Sequence, residues 1–498
     1  MKAPLSLLFS LSALFALPAA QAATAADATA LRTEASAALD KAITYYHSNV
    51  ATHGGGYVYF YSLDLEQRWG EGTATKDQAF TQPPGTPTVG LAYLRAYAAT
   101  KDPRHLAAAR EAGLALAHGQ LKSGGWSQAF DWNPTGTKAG LYRNGRGNPK
   151  GRNHTSLDDN QTQACIAFLA HLDRALGFKD PAISDTIRYA LDALLKAQFP
   201  IGAFPQGFTG PVAAHPIAKA SYPAEWPRTW PNEDYWNYYT LNDGLAGSVS
   251  ETLLTAIEVY QDERYTAALK RLGDFLLAAQ MPEPQPAWCQ QYNFAMQPVW
   301  ARRFEPPAIC GLESEDAIRT LLNIHRLTGD KKYLEPIPRA LAYLKKHRLP
   351  DGMMPRYFEL QTDRPLYMNR TGQNYFLTYD DTNLPAHYGW KQKTAVDELE
   401  KAHAVATSTP PAPATASAGT LARKSKDVAP KKSPSPAELE TKVRAALAAL
   451  DAEGRWISTY AGERLVGQPK FTPGFRYLDS GVFAHNVELL SEYLAAAK

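Results

Sequence analysis

The residues of this chain best suited to chemistry are carboxylates that recur where predicted helices begin. Asp158 and Asp159 stand in SLDDNQTQ, Asn242 and Asp243 in TLNDGLAG, and Glu313, Glu315 and Asp316 in GLESEDAI. Such side chains commonly cap a helix, each stabilising it by about 1 kcal/mol. Three such starts in register also build an acidic rim. Paired carboxylates on that rim could serve as general acid and base, or as oxygen ligands of Ca²⁺.

Positive charge comes from two stretches that are not composed like linkers. Residues 282–311 read PEPQPAWCQQYNFAMQPVWARRFEPPAICG, where six prolines disfavour helix and Arg302 and Arg303 sit among Trp, Tyr and Phe. The second stretch, MPRYFELQTDRPLYMNRTG, carries Arg356, Arg364 and Arg370. Arginine binds carboxylates through two parallel hydrogen bonds. These arginines either pair with the rim carboxylates as structural ion pairs or face a ligand. Acidic, basic and aromatic groups together suit a groove for an acidic polysaccharide. Arg302, Arg303, Arg356, Asp243, Trp288 and Tyr292 are the candidate substrate contacts, although Trp288 and Trp300 would equally cap a core.

The elements that position these groups form a repeat. Turn residues Asp102, Asp180, Asp262 and Asp330 each precede an apolar stripe at helical spacing. Each stripe ends in a Gly or Pro break beside Trp126, Phe204, Trp288 or Met354. A second helix set, TQACIAFLAHLDRAL, SVSETLLTAIEVY and EDAIRTLLNIHRLT, alternates with the first. Paired helices at a period of tens of residues predict an all-α fold. The expected architecture is an α/α toroid or partial barrel with its long structured loops at one end.

The ends of the chain differ in character. Lys2 and the run LSLLFSLSALFAL, followed by Ala20-Gln21-Ala22, predict a signal peptide over 1–22 and an exported protein, periplasmic or secreted. The catalytic unit is expected over 23–404 and a Pro/Ala/Lys-rich linker over 405–436. A helical segment over 437–498 is expected to dock on the toroid. No later stretch reads as a membrane span, and a net charge of +3 gives no case for nucleic acid. A monomer is expected. Of three cysteines, Cys289 and Cys310 could bridge, and Cys165 reads as a buried apolar residue.

Three motifs resemble the pectate lyases of polysaccharide lyase family 10, the pectic acid lyases: LDDNQTQACIAFLA, WCQQYNFAMQPVWARRFEPPAICGLES and PRYFELQTDRPLY. The resemblance implies an all-α toroid and Ca²⁺-assisted β-elimination on polygalacturonate. It places the catalytic base at Arg364, in T-D-R-P, and a catalytic Asp at Asp158, near metal and substrate. The metal set expected is Asp158, Asp159 and Glu313. This chain departs from the family pattern in Asp159 and Gln161, and in the basic stretch YRNGRGNPKGRNHTS. Another uronate polymer is therefore an alternative substrate. A toroid glycoside hydrolase using Asp158, Asp243 or Glu313, and a non-catalytic acidic-glycan binder, are the competing functions.

Overall fold

The computed structural model describes residues 16–408 and 435–496, with side chains from Asp27 onward. Most of the expected leader and of the 405–436 linker lies outside the described residues. Helices dominate. The first is α1, Ala16–Tyr45. Four pairs follow: α2 Thr86–Thr100 with α3 Pro103–Gly119, α4 Gln161–Ala175 with α5 Pro181–Lys196, α6 Leu245–Tyr260 with α7 Glu263–Ala279, and α8 Gly311–Thr328 with α9 Ile337–Lys346. Then come α10 Val396–Ser408, α11 Pro436–Ala449 and α12 Ser480–Ala496. No described helix is long and apolar enough to cross a membrane.

The turn aspartates cap the second helix of each pair. Asp102 accepts from the Arg104 amide at 2.8 Å, Asp180 from Ala182 at 3.1 Å, and Asp262 from Arg264 at 2.8 Å. Asp330 accepts from Lys332 at 3.1 Å, at a short 3-10 turn leading into α9. The first helices pack side by side in the order α12, α2, α4, α6, α8, α10. Between them lies one large apolar core.

Strands are present, which corrects the all-α expectation. Gly and Pro break the helices, so the buried loop backbone needs partners elsewhere. The loop entering each helix pair therefore pairs with the loop leaving that same pair. Residues 78–80 pair with 129–131, 155–156 with 207–208, 239–240 with 291–292, and 308–310 with 357–359, all antiparallel. A repeated glutamine locks three of these loops. The side-chain amides of Gln120, Gln198 and Gln280 each donate to a carbonyl of their own loop and to one in the next helix pair.

The C-terminal segment packs through α12 against α2, α1 and α11. Its strand 476–479 pairs with 60–62, in a five-stranded sheet that also holds 457–459, 68–70 and 72–74. Ser435 and Glu438 form a reciprocal capping box at the start of α11.

All three cysteines are free and buried. The Cys289–Cys310 bridge does not form, because the Cys310 thiol is directed to the Glu313 carboxylate.

Candidate active site

Two equivalent 3-10 turns, Asp158–Asn160 and Asn242–Gly244, deliver the chain into α4 and α6. In each, two successive residues adopt left-handed backbone: Asp159 and Asn160 at φ 45° and 61°, Asp243 and Gly244 at φ 52° and 73°. Asp, Asn and Gly are the residues that tolerate this region, so the motifs LDDN and LNDG are suited to the turn. The two turns touch. Carboxylate oxygens of Asp158, Asp159 and Asp243 thereby come within 4.8 Å of one another.

Neighbouring charges divide the three carboxylates. Burial, then the charge of Asp243, pushes the Asp158 carboxyl up to about 6. Restricted solvation at the turn, then the charges of Asp243 and Asp158, takes Asp159 to about 7. Burial acts the same way on Asp243, but Arg356 and Arg302 outweigh it and hold its carboxyl below the usual range. Arg302 Nη2 lies 2.7 Å from Asp243 Oδ2, and Arg356 Nη2 lies 3.0 Å from Asp243 Oδ1.

A buried layer fixes those arginines. Glu305 accepts from Arg302 at 2.6 Å and from the Tyr388 hydroxyl at 2.9 Å. Tyr388 also meets the Tyr357 hydroxyl at 2.9 Å, which donates to Gln290 at 2.7 Å. Glu313 takes Arg356 at 3.1 Å and the Asp243 backbone amide at 3.1 Å. On the outer side, Gln82 donates to Asp159 at 3.4 Å and to Glu71 at 3.2 Å.

The expected site residues separate into those the fold gathers and those it does not. Asp158 and Asp159 come together as expected, but their third partner is Asp243, not Glu313. Glu313 is 1% exposed and bound to Arg356, which corrects its place in the metal set. Trp288 and Tyr292 are fully buried, so neither can touch a polymer. The Trp288 indole donates to the Leu276 carbonyl at 2.8 Å, and the Tyr292 hydroxyl to Ala279 at 2.7 Å. Both belong to the core, which corrects their place among the candidate substrate contacts. Arg356 is also buried, paired with Asp243 and Glu313, which corrects its place among the candidate substrate contacts. Arg302 is half-buried beside the cluster, whereas Arg303 is exposed and donates to Gln373. Arg364 is exposed, with its guanidinium 3.4 Å over the Tyr379 ring.

Sequence reasoning missed Glu305, Tyr388 and Gln82. Glu305 stood three residues from Arg302 in ARRFE, a spacing that could have flagged it. Nothing local marks Tyr388 or Gln82.

The cluster fits a hard divalent cation. All its donors are carboxylate oxygens, the chemistry Ca²⁺ prefers, and Asp158 Oδ1 is buried without a hydrogen-bond partner. A second acidic group, Asp40, Asp102 and His105, is occupied differently: Arg104 spans Asp40 and Asp102 at 2.7 and 2.6 Å. From Asp158 and Gln161 a groove of about 590 Å³ runs out past Gln128, Lys138, Arg152, His154 and Trp236.

The scaffold is helix-rich and presents clustered carboxylates and arginines where its loops meet. Residues 120–354 match the family model described as pectic acid lyase. The three resembling motifs lie within or against that stretch. No curated protein matches the chain. Among solved structures, a mutant family 10 polysaccharide lyase from Cellvibrio cellulosa in complex with trigalaturonic acid is 20% identical, with a TM-score of 0.45. That match covers 64% of this chain and 98% of the other. The family 10 polysaccharide lyase from the same organism is 21% identical over 62% of this chain and 94% of its own, at a TM-score of 0.43. A D-mannose isomerase is 14% identical over 93% and 97%, also at 0.43.

Proposed function

We propose that the protein is an exported, monomeric polysaccharide lyase that cleaves polygalacturonate, or a closely related uronate polymer, by β-elimination with Ca²⁺. The serial packing of α12, α2, α4, α6, α8 and α10 supports reading them as the inner wall of an α/α toroid. The observation that carries the functional reading is the carboxylate cluster of Asp158, Asp159 and Asp243, placed beside Arg302 within the stretch matching pectic acid lyases.

In this reading Asp158, Asp159 and Asp243 hold the cation. When bound, Ca²⁺ supplies positive charge against a uronate carboxylate, which makes the adjacent C5 proton more acidic. Arg302 and Arg356 keep Asp243 ionised, and Glu305 and Glu313 hold those arginines in place. The resemblance assigns Arg364 as the base that takes the C5 proton. The C5–H electron pair forms a C4–C5 double bond as the C4–O bond breaks, and the leaving oxygen takes a proton from water to become a free hydroxyl. An arginine base is chemically demanding, since guanidinium is normally protonated. Its exposed position over Tyr379 leaves it reachable by a polymer.

A second reading has one observation in its favour. Asp158 and Asp159, raised to about 6 and about 7, would suit a proton donor in a glycoside hydrolase. Incubating the protein with polygalacturonate, with and without EDTA, separates the two. The lyase reading expects a chelator-sensitive rise in ultraviolet absorbance from the unsaturated product. Reducing ends without that absorbance would favour hydrolysis.

A further inference from the structure

The basic stretch that departs from the family pattern forms one side of the groove leading to Asp158. Lys138 and Arg152 both line it, together with Gln128, His154 and Trp236. Their backbone is fixed: Leu141 N–H donates to the Arg152 carbonyl at 3.0 Å, and Asn148 N–H to Gly140 at 2.9 Å. Gly151 lies so close that an added Cβ would stand 2.6 Å from the Ala139 carbonyl oxygen, so the two arms of the loop pack too tightly for any side chain at this position. Among the described residues, neither the Lys138 ammonium nor the Arg152 guanidinium has a carboxylate partner or a side-chain hydrogen bond. Arg143 on the same loop, outside the groove, is by contrast paired with Asp185 at 2.8 Å.

Two uncompensated cations held on an ordered loop, in a concave site opening onto a carboxylate cluster, call for an anionic ligand. Trp236, half-buried and stacked on Tyr235, adds an apolar surface suited to a sugar ring. We propose that this groove is an anionic-sugar subsite, in which Lys138 and Arg152 take the carboxylate of a uronate neighbouring the one at the cluster. The assignment rests on the uronate-polymer reading for the substrate, but not on the elimination chemistry. It makes Lys138 and Arg152 specificity-determining residues for acidic over neutral chains.

Calorimetric titration with trigalacturonate in EDTA, where cleavage is stopped, tests this directly. The Lys138→Ala/Arg152→Ala protein should bind about tenfold or more weakly than the parent, the loss expected for charge-assisted hydrogen bonds. Lys179→Ala, an exposed basic residue outside the groove, should bind like the parent. A neutral galactose trisaccharide should bind weakly and equally to all three. Equal trigalacturonate affinity for parent and double variant would overturn the subsite, as would failure of the parent to bind it. The absorbance assay reports separately on the lyase reading, so either can fail alone.

Discussion

Arg302 stands with its Nη2 2.7 Å from Oδ2 of Asp243 and 2.6 Å from Oε1 of the buried Glu305, so one guanidinium serves a site carboxylate and a structural one together. Removing it leaves the buried Glu305 without a cationic partner and Asp243 with Arg356 alone. Arg302→Met should cost about 3–5 kcal/mol in denaturant unfolding, the usual penalty for leaving a buried charge unpaired. It should also raise the Asp243 carboxyl and shift the pH dependence of Ca²⁺ binding upward. An unchanged midpoint and profile would contradict the role.

The raised carboxyls predict a pH signature for the metal-free protein. Asp158 and Asp159 titrate near 6 and 7 when folded, against about 3.9 when unfolded. The folded state therefore binds more protons between these values, and stability from these two groups falls as pH rises from about 4 to 7. Ca²⁺ must displace those protons, so its stabilising effect should grow across the same window. Thermal melts with EDTA or Ca²⁺ at pH 5 and pH 8 check this. Asp158→Asn/Asp159→Asn should flatten both trends.

Trp288 belongs to the core, not to the groove. Trp288→Ala should lower stability by about 3–5 kcal/mol through cavity formation. Trp288→Phe, which keeps most of the volume but loses the N–H bond to Leu276, should cost less, about 1–2 kcal/mol. Trigalacturonate affinity of the folded Trp288→Phe protein should match the parent.

Thiol chemistry gives an independent check on the loop. With Cys165, Cys289 and Cys310 free and buried, a thiol reagent without reductant should label none in the native protein and three after unfolding. Labelling of only one after unfolding would restore the Cys289–Cys310 bridge.

What could be read from the chain depended on how local the signal was. The caps at Asp102, Asp180, Asp262 and Asp330 were legible because a cap bonds within two or three residues of itself. Asp158 and Asp159 were legible by residue type at a helix start, although neither side chain caps α4. Asp243 was marked as a rim residue but assigned to substrate, because its partnership with Asp158 depends on two left-handed turns meeting across helix pairs. Trp288 and Tyr292 misled because an aromatic in a proline-rich loop reads the same whether it faces solvent or core. Glu313 misled similarly: a carboxylate at a helix start gives no sign of the buried Arg356 that claims it. The strands that open and close the helix pairs were illegible, being two or three residues long and paired with distant loops.

The Asp158–Asp159–Asp243 cluster should support elimination rather than hydrolysis. Mass spectrometry of polygalacturonate products made in heavy-oxygen water tests it most directly. Elimination predicts unsaturated products lighter by one water than the hydrolytic ones, with no solvent oxygen at the broken linkage, and their loss in EDTA. Saturated products carrying one solvent oxygen, formed equally with EDTA present, would contradict it.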